Sequence, residues 1–163
     1  SGGRIKIITL APEREGALAF IERAAASGVV VSIGHTAATP AQIRDAIAAG
    51  ARMSTHLGNG SHAMLPRHSN YLWEQAAGDE LTAGVIADGH HLPPSMVKCF
   101  GRLKGAERLC LVSDAVALGG RPAGIYDEGR HEVLPSGKVV LAGTPYLAGA
   151  GHLLDLCVAN ALR

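Results

Sequence analysis

The chain has 163 residues, which is enough for one domain with a hydrophobic core. Hydrophobic residues make up 47% of the chain and charged residues 18%, and the net charge is +1. This composition excludes a disordered chain and a protein that binds nucleic acid through a basic surface. No apolar run is long enough to cross a membrane, and the three widely spaced cysteines favour the reducing cytoplasm over a disulfide framework.

Short apolar runs alternate with helix-like segments along most of the chain. The runs are rich in β-branched residues, begin roughly 22 to 32 residues apart, and occupy residues 5–10, 29–33, 51–55, 83–87 and 109–113. The segments between them carry helix start and stop signals, such as Thr39 before Pro40 and then Gly50. This alternation predicts an α/β fold in which parallel strands are joined by helices.

The pattern changes after Ala115. Glycines and a proline between residues 119 and 124 predict a loop. Residues 131–134 and 138–142 predict a β-hairpin around the turn Pro135-Ser136-Gly137. A further loop over residues 143–151 precedes an apolar helix that is expected to end near residue 163.

Each apolar run ends in polar residues, and two of these are histidines at equivalent positions. His35 follows the second run, His56 follows the third, and Asp114 follows the fifth. In parallel α/β folds the carboxyl edge of the sheet carries the active site. A single histidine there is more often a hydrogen-bonded structural residue. Two histidines together with Asp114 favour a metal site, because imidazole is a common ligand of zinc and other divalent ions.

Two acidic residues have both a structural and a chemical interpretation. Asp114 is either the N-cap of a helix or, beside two histidine ligands, a general base for metal-bound water. Glu13 could bind or orient a ligand. It also lies just after Pro12, where we expect the first helix to begin and where an acid favours the helix dipole. We therefore expect a structural role for Glu13.

The segment after the third run reads THLGNGSHAMLPRH over residues 55–68. Gly58, Asn59 and Gly60 could turn backbone N–H groups toward an anion, and Arg67 could clamp a phosphate. Composition alone favours an ordinary turn and a solvated arginine. His152 has no comparable position after a strand, and we expect it to be a surface or loop residue.

The order of these motifs resembles a known family. The matching stretches are ITLAPE at 8–13, SIGHTAAT at 32–39, STHLGNG at 54–60, GVIADGHHL at 84–92, LVSDA at 111–115 and LAGAG at 147–151. They occur in the order and spacing found in the N-acetylglucosamine-6-phosphate deacetylases of the amidohydrolase superfamily. Several ordered motifs are far more specific than any one of them.

The resemblance implies a fold and a site. The fold is the C-terminal portion of a (β/α)8 TIM-type barrel, with about five βα units in residues 1–122. A short β-hairpin and a C-terminal helix in residues 123–163 belong to the same catalytic unit. A divalent metal, with zinc favoured and iron or another ion as alternatives, is bound by His35 and His56, and Asp114 is the catalytic acid and base. The implied substrate contacts are Asn59, Gly60, Arg67, His91 and the loop of Leu147, Ala148 and Gly149.

The chain departs from the family pattern in two ways. The family has a bulky aromatic residue followed by Asn-Ala-Met where this chain has Gly58 to Ser61, which widens the expected pocket. The family's third metal ligand, a glutamate, and a histidine that polarises the substrate carbonyl lie upstream of ITLAPE and are not in these residues. Because a partial barrel exposes open sheet edges, we expect a homo-oligomer or pairing with the missing N-terminal part.

The expected reaction is the metal-dependent deacetylation of N-acetylglucosamine 6-phosphate to glucosamine 6-phosphate and acetate. The expected partner is this phosphorylated amino sugar, with no nucleic acid and no membrane. Two alternatives stay open. The chain could belong to another amidohydrolase, such as a deaminase or a cyclic-amide hydrolase, or it could be an inactive half-barrel that only binds or assembles.

Overall fold

The computed structural model describes residues 2–162, which form two compact units. The first unit comprises the residues up to Val85 together with Cys99–Cys110. The second comprises Ile86–Lys98 and the residues from Leu111 onward. The domain boundary expected near residue 122 stays a prediction. Within residues 2–162, no helix has the length and apolar character needed to cross a membrane.

Five strands form one sheet in the order in which they occur in the chain. They are β1 (Ile7–Leu10), β2 (Val30–Ile33), β3 (Ala51–Ser54), β4 (Thr82–Val85) and β5 (Leu109–Leu111). The pairings of β1 with β2, β2 with β3 and β3 with β4 are parallel. β2 has a neighbour on each side, and its residues after Val30 are buried. The predicted α/β fold with a parallel sheet is therefore confirmed.

Four helices alternate with these strands. They are α1 (Ala17–Ala26), α2 (Pro40–Ala48), α3 (Tyr71–Ala77) and α4 (Pro94–Lys104). α2 begins as predicted, because the Thr39 hydroxyl accepts from the Gln42 N–H while the Gln42 side chain accepts from the Thr39 N–H. α1 begins later than expected, because a turn closed by Gly16 (φ 74°) precedes it. Pro12 and Glu13 therefore lie outside α1, and the helix-dipole role expected for Glu13 is wrong.

The core of the first unit holds the ends of β2 and β3 in position. Its fully buried side chains come from α1, α2, β2 and the residue before β4, and include Ile21, Ile43, Val31, Ile33 and Leu81. Complete burial of a side chain of this size contributes roughly 1.5–3 kcal/mol relative to exposure. The loops that follow β2 and β3 therefore start from a rigid support.

α3 is capped at both ends by side chains. The Asn70 side-chain Oδ1 accepts hydrogen bonds from the Leu72 N–H at 3.0 Å and the Trp73 N–H at 3.2 Å. The buried Lys104 ammonium donates to the carbonyls of Gln75 at 2.8 Å and Gly78 at 2.6 Å, and burial lowers its pKa. A helix this short is unstable alone, so these caps and the packing of its buried face hold it.

The second unit contains a small antiparallel sheet and a helix. Strands β6 (Gly124–Tyr126), β7 (His131–Val133) and β8 (Val139–Leu141) pair in that order, and α5 spans Leu154–Ala161. The predicted hairpin corresponds to β7 and β8, with the Gly137 N–H donating to the Leu134 carbonyl across the turn. β6 begins at Gly124, where a loop was predicted, because its backbone pairs with β7. The predicted helix end at residue 163 lies outside the described residues.

Candidate functional site

His35 and His56 lie at the carboxyl ends of the neighbouring strands β2 and β3. Ile33 and Ser54 are register partners, and the Thr55 N–H donates to the Ile33 carbonyl at 2.8 Å, so the two loops begin at the same level of the sheet. The Nε2 atoms of the two histidines are 2.8 Å apart. His56 is only 7% exposed, whereas His35 is exposed. The structure thus brings the two predicted metal-ligand candidates together.

The two rings meet edge to face. The ring planes are nearly perpendicular, at 85°, and the ring centroids are only 4.5 Å apart. With the two Nε2 atoms 2.8 Å apart, this contact places two nitrogen donors side by side. This donor arrangement fits a divalent metal such as zinc, whose bonds to imidazole nitrogen are about 2.0–2.1 Å long. Among residues 2–162, no third His, Cys, Asp or Glu side chain completes a metal-binding group with them.

A cleft opens beside this histidine pair, and we call it the β2–β3 cleft. Its lining comes from the loops after the two strands and from α3, and includes His35, Thr36, Asn59, Gly60, Tyr71 and Gln75. The Asn59 side-chain nitrogen is buried and has no hydrogen-bond partner among the described residues. Gly60 lies against the His35 ring, because a Cβ atom there would be 2.4 Å from His35 Cε1. Asn59 and Gly60 therefore lie at the histidine pair, and their role as substrate contacts stays a prediction.

Arg67, the predicted phosphate clamp, lies further along the same segment. Its side chain is exposed, and it is not among the described residues that line the β2–β3 cleft. The segment is tied to α3 near His62, whose backbone N–H donates to the Tyr71 hydroxyl at 2.9 Å. The structure therefore brings Asn59 and Gly60, but not Arg67, to the histidine pair.

Glu13 supports the loop that carries His35. Its carboxylate accepts hydrogen bonds from the Ala37 N–H at 2.8 Å and from the Thr36 hydroxyl. Burial raises the pKa of the Glu13 carboxyl, but these hydrogen bonds outweigh burial, so the pKa lies below its usual value. The alternative in which Glu13 orients a ligand therefore has a structural basis, although Glu13 contacts the loop and not the imidazole of His35.

Asp88 supports His91 in the second unit. The Asp88 carboxylate is buried and accepts hydrogen bonds from the backbone N–H groups of His90 and His91, at 2.8 Å and 2.9 Å, and from His91 Nδ1 at 2.8 Å. Burial raises the pKa of Asp88, but the hydrogen bonds from the His91 side chain and from the two backbone amides place it well below its usual value. His91, a predicted substrate contact, is therefore held by an ionised carboxylate.

Asp114 lies after β5 in an exposed, left-handed conformation with φ 51°. Its carbonyl accepts a hydrogen bond from the Ala150 N–H at 3.3 Å, and Ala115 forms an isolated parallel bridge with Ala150. The next element after β5 is the strand β6, and no helix begins directly after Asp114 in the described chain, so its interpretation as a helix N-cap is wrong. The side chain is exposed and available for chemistry.

The predicted substrate loop is anchored within the second unit. Leu147 forms an antiparallel bridge with Val140, and the Ala148 N–H donates to the Val139 carbonyl at 3.0 Å. Gly149 has φ 93° and no space for a side chain. The segment is half-buried, and through Ala150 it adjoins the backbone of Asp114.

A second histidine pair lies in the second unit, formed by His90 and His152. Their Nε2 atoms are 3.2 Å apart, and the ring planes are nearly parallel, at 19°, with centroids 5.2 Å apart. His152 Nε2 also lies 3.1 Å from the Ser136 carbonyl oxygen. His152 lies on a loop as expected, but its partner was not predicted, because the two residues are far apart in the chain.

Known proteins resemble this chain over nearly its whole length. The N-acetylglucosamine-6-phosphate deacetylase of Lysinibacillus sphaericus is 37% identical over 162 residues, covering 98% of this chain and 41% of the relative. The N-acetylgalactosamine-6-phosphate deacetylase of Escherichia coli O157:H7 is 36% identical over 157 residues, covering 96% of this chain and 41% of the relative. No protein-family model matches the chain.

A solved structure shows the same likeness. The crystal structure of N-acetyl-D-glucosamine-6-phosphate deacetylase from Mycobacterium smegmatis has a TM-score of 0.88 and 34% identity, over 98% of this chain and 44% of that one. A mutant of the same enzyme, solved in complex with N-acetyl-D-glucosamine-6-phosphate, has a TM-score of 0.87. The chain is therefore a homologue of the N-acetylglucosamine-6-phosphate deacetylases and spans about two fifths of the length of the curated relatives that it matches.

Proposed function

We propose that this chain is the C-terminal portion of a (β/α)8 barrel that deacetylates N-acetylglucosamine 6-phosphate in the cytoplasm, giving glucosamine 6-phosphate and acetate. The observation that carries this proposal is the close approach of the Nε2 atoms of His35 and His56, 2.8 Å apart, with His35 in the lining of the β2–β3 cleft. The names of the homologues support the reaction and the phosphorylated amino sugar as its substrate.

His35 and His56 would hold a divalent metal, zinc in preference to iron or another divalent ion. When bound, such an ion lowers the pKa of a water molecule to about 7 and polarises a carbonyl. The role of the chain is to hold the imidazole nitrogens of His35 and His56 in position for the ion. β2 and β3 bring the rings together, and the Glu13 carboxylate holds the loop directly after His35. A third protein ligand would complete the usual number for a catalytic zinc site.

Asp114 would move the proton. Hydrolysis forms a bond between the water oxygen and the acetamide carbonyl carbon and then breaks the bond from that carbon to nitrogen. The Asp114 carboxylate would accept the proton that the water loses and deliver it to the departing amine. Its exposed side chain and its position after a strand support this role.

The other predicted residues would bind the sugar phosphate. Asn59 has a buried side-chain nitrogen available for a hydrogen bond, and the backbone of Gly60 lies beside it. Arg67 and His91 would contact the phosphate oxygens. The loop of Leu147, Ala148 and Gly149 would close over the substrate.

N-acetylgalactosamine 6-phosphate is a second candidate substrate. A relative named for that activity is 36% identical to the chain. The segment Gly58-Asn59-Gly60-Ser61, which contributes to the β2–β3 cleft, lacks bulky side chains. A wider cleft would accept either configuration of the sugar ring.

The chain would act together with a partner, either a second copy or the missing N-terminal part. β1 has a neighbour on only one side in the five-stranded sheet. Ile7 on this strand is 54% exposed, and Ile5 just before it is 50% exposed. An open edge with apolar side chains favours association with another strand.

The test uses an extended chain, in which the residues that precede the matched region of the Lysinibacillus sphaericus relative are joined to this one. Acetate release would be measured with N-acetylglucosamine 6-phosphate, N-acetylgalactosamine 6-phosphate and unphosphorylated N-acetylglucosamine. We expect turnover of a phosphorylated sugar and its loss in His56→Ala. If the extended chain folds and releases no acetate from any of them, the deacetylase proposal is wrong, and another amidohydrolase activity or a chain that only binds or assembles is left.

A further inference from the structure

The loop after β4 contains a carboxylate that none of the proposed chemistry uses. Asp88 is only 3% exposed as a whole residue, and its side chain is 1% exposed. One carboxylate oxygen accepts the backbone N–H groups of His90 and His91, and the other lies 2.8 Å from His91 Nδ1. Both oxygens are therefore engaged by a single turn of chain that ends at His91.

This arrangement decides which nitrogen of His91 carries a proton. An ionised carboxylate can only accept hydrogen bonds, so Nδ1 must be the donor in the contact with Asp88. In a neutral ring Nε2 is then an unprotonated acceptor, and in the cationic ring it is a donor. The three hydrogen bonds to Asp88 oppose its protonation, which would remove an acceptor from the turn.

The backbone on the other side of Asp88 is also fixed. The Asn160 side chain on α5 donates to the Ala87 carbonyl at 2.9 Å. Cys157 on the same helix is fully buried. Asp88 therefore cannot turn away from His91 without breaking contacts on both sides. Other titratable groups around this turn are His90, its ring partner His152, and Cys157 and Asp155 on α5.

We propose that Asp88 is a positioning residue that holds His91 with Nδ1–H directed inward and Nε2 left for the ligand. A phosphate oxygen accepts hydrogen bonds, so His91 binds it through Nε2–H of the imidazolium form, and the Asp88 carboxylate balances that charge. That the ligand is a phosphate ester rests on the proposed function. The role of Asp88 in setting the tautomer does not.

The variant Asp88→Asn tests the proposal, because it should change the tautomer of His91. In Asp88→Asn the side-chain oxygen is needed by the two backbone N–H groups, so the amide NH2 faces His91 Nδ1. An NH2 group donates, and Nδ1 must then accept. The neutral His91 ring is therefore expected to change from the Nδ1–H to the Nε2–H tautomer.

The experiment is a long-range 1H–15N NMR spectrum of the chain labelled with 15N-histidine, recorded at a pH where the histidines are neutral. We expect the Nδ1–H tautomer for His91 in the wild type and the Nε2–H tautomer in Asp88→Asn. The matched control is Asn160→Ala, which loosens the other side of the same turn and should leave the Nδ1–H tautomer. A wild-type ring in the Nε2–H tautomer overturns the proposal even if Asp88→Asn does not fold. A folded Asp88→Asn that keeps the Nδ1–H tautomer also overturns it.

A second measurement separates this proposal from the proposed function. Inorganic phosphate and glucosamine 6-phosphate would be titrated into the same labelled proteins at a lower pH, where the imidazolium form of His91 is present, while the His91 signals are followed. We expect binding to the wild type and to Asn160→Ala, and roughly tenfold weaker binding to Asp88→Asn, because a charge-assisted contact is exchanged for a neutral one. Equal affinity in wild type and Asp88→Asn counts against the positioning role. If the tautomers behave as expected but neither ligand perturbs His91, the phosphate assignment fails and the role of Asp88 stands.

Discussion

The two histidine pairs of this protein have the same atoms in contact but different ring orientations. In the first unit the rings of His35 and His56 are nearly perpendicular, and their Nε2 atoms are 2.8 Å apart. In the second unit the rings of His90 and His152 are nearly parallel, and their Nε2 atoms are 3.2 Å apart. Proximity of two imidazoles therefore does not define a metal site, and we propose the metal for the first pair because its histidines follow neighbouring parallel strands.

The second pair fits a shared proton instead. A distance of 3.2 Å between two imidazole nitrogens suits an N–H···N hydrogen bond, in which one ring donates and the other accepts. One proton on His152 Nε2 can be donated to His90 Nε2 and also lies toward the Ser136 carbonyl. The pair thus connects the loop after β4 with the turn between β7 and β8.

Replacing one histidine of each pair by alanine should give the largest difference, which we expect in metal affinity. We expect His56→Ala to lower the affinity of the chain for Zn²⁺ or Co²⁺ by more than about 100-fold, since even the loss of a residue that only orients a ligand lowers affinity about 10- to 100-fold. His152→Ala should leave metal affinity unchanged. Calorimetric titration with both ions measures this, and an equal loss in the two variants would abolish the distinction between the pairs. With two ligands, the wild-type chain itself should lose metal on dialysis against a mild chelator.

Asp114→Asn tests the proton transfer that we propose for the reaction at the first histidine pair. In the extended chain we expect turnover to fall about 10²–10⁴-fold, the usual contribution of general acid–base catalysis, with metal content retained. His90→Ala is the comparison, and it should keep most of the turnover. Steady-state acetate release and metal analysis on the same samples give the result. Retained turnover in Asp114→Asn would require another proton carrier.

Replacing Gly60 or Gly137 by alanine should displace one histidine ring in each pair by a similar clash. A Cβ at Gly60 would lie 2.4 Å from His35 Cε1, and a Cβ at Gly137 would lie 2.4 Å from His152 Cε1. Both residues have positive φ, 63° and 81°, so each change to alanine should destabilise the fold by at least about 1–2 kcal/mol. Only Gly60→Ala should also weaken metal binding, by about tenfold, because it displaces a proposed ligand. Urea unfolding and metal titration separate the two effects, and equal metal affinities would contradict the assignment of His35.

Glu13→Gln should have the smallest effect, and it should depend on pH. The pKa of Glu13 in the folded chain lies below its unfolded value, so the ionised form stabilises the fold above about pH 4.3. This stability is lost as the pH falls through the folded pKa. We expect the wild type to be more stable than Glu13→Gln by less than about 1 kcal/mol at neutral pH, with the difference shrinking in acid. Unfolding curves at pH 7 and in mild acid measure it, and a difference that grows in acid would be the wrong sign.

The local patterns of the sequence were sufficient for much of the fold. Runs of β-branched residues predicted the parallel strands, and Thr39 followed by Pro40 predicted the start of α2, because these signals act over a few residues. The same reasoning brought His35 and His56 to one edge of the sheet, since equivalent strand ends meet there. β6 was missed, because a strand that starts at a glycine is specified by its pairing with β7 and not by its own residues.

The details of the site depended on contacts between distant residues. Glu13 lies 24 residues before Ala37, whose N–H it accepts, and no local pattern indicates that contact. The partnership of His90 and His152 spans 62 residues. Asp88 is different, because an aspartate that accepts N–H groups two and three residues later is a recognisable turn, and the stretch Asp-Gly-His-His could have indicated it. Ring orientations follow from packing and cannot be derived from spacing.

The capping of α3 by Lys104 has a consequence for the order of folding. α3 provides Tyr71 and Gln75 to one wall of the β2–β3 cleft, yet the last carbonyls of this helix receive their hydrogen bonds from a lysine at the end of α4. While Lys104 is still inside the ribosome during synthesis, both histidines of the first pair have already emerged. The hydrogen bonds from Lys104 that stabilise the end of α3 cannot yet form. We therefore expect the cleft to mature late during synthesis, after its candidate metal ligands have already emerged.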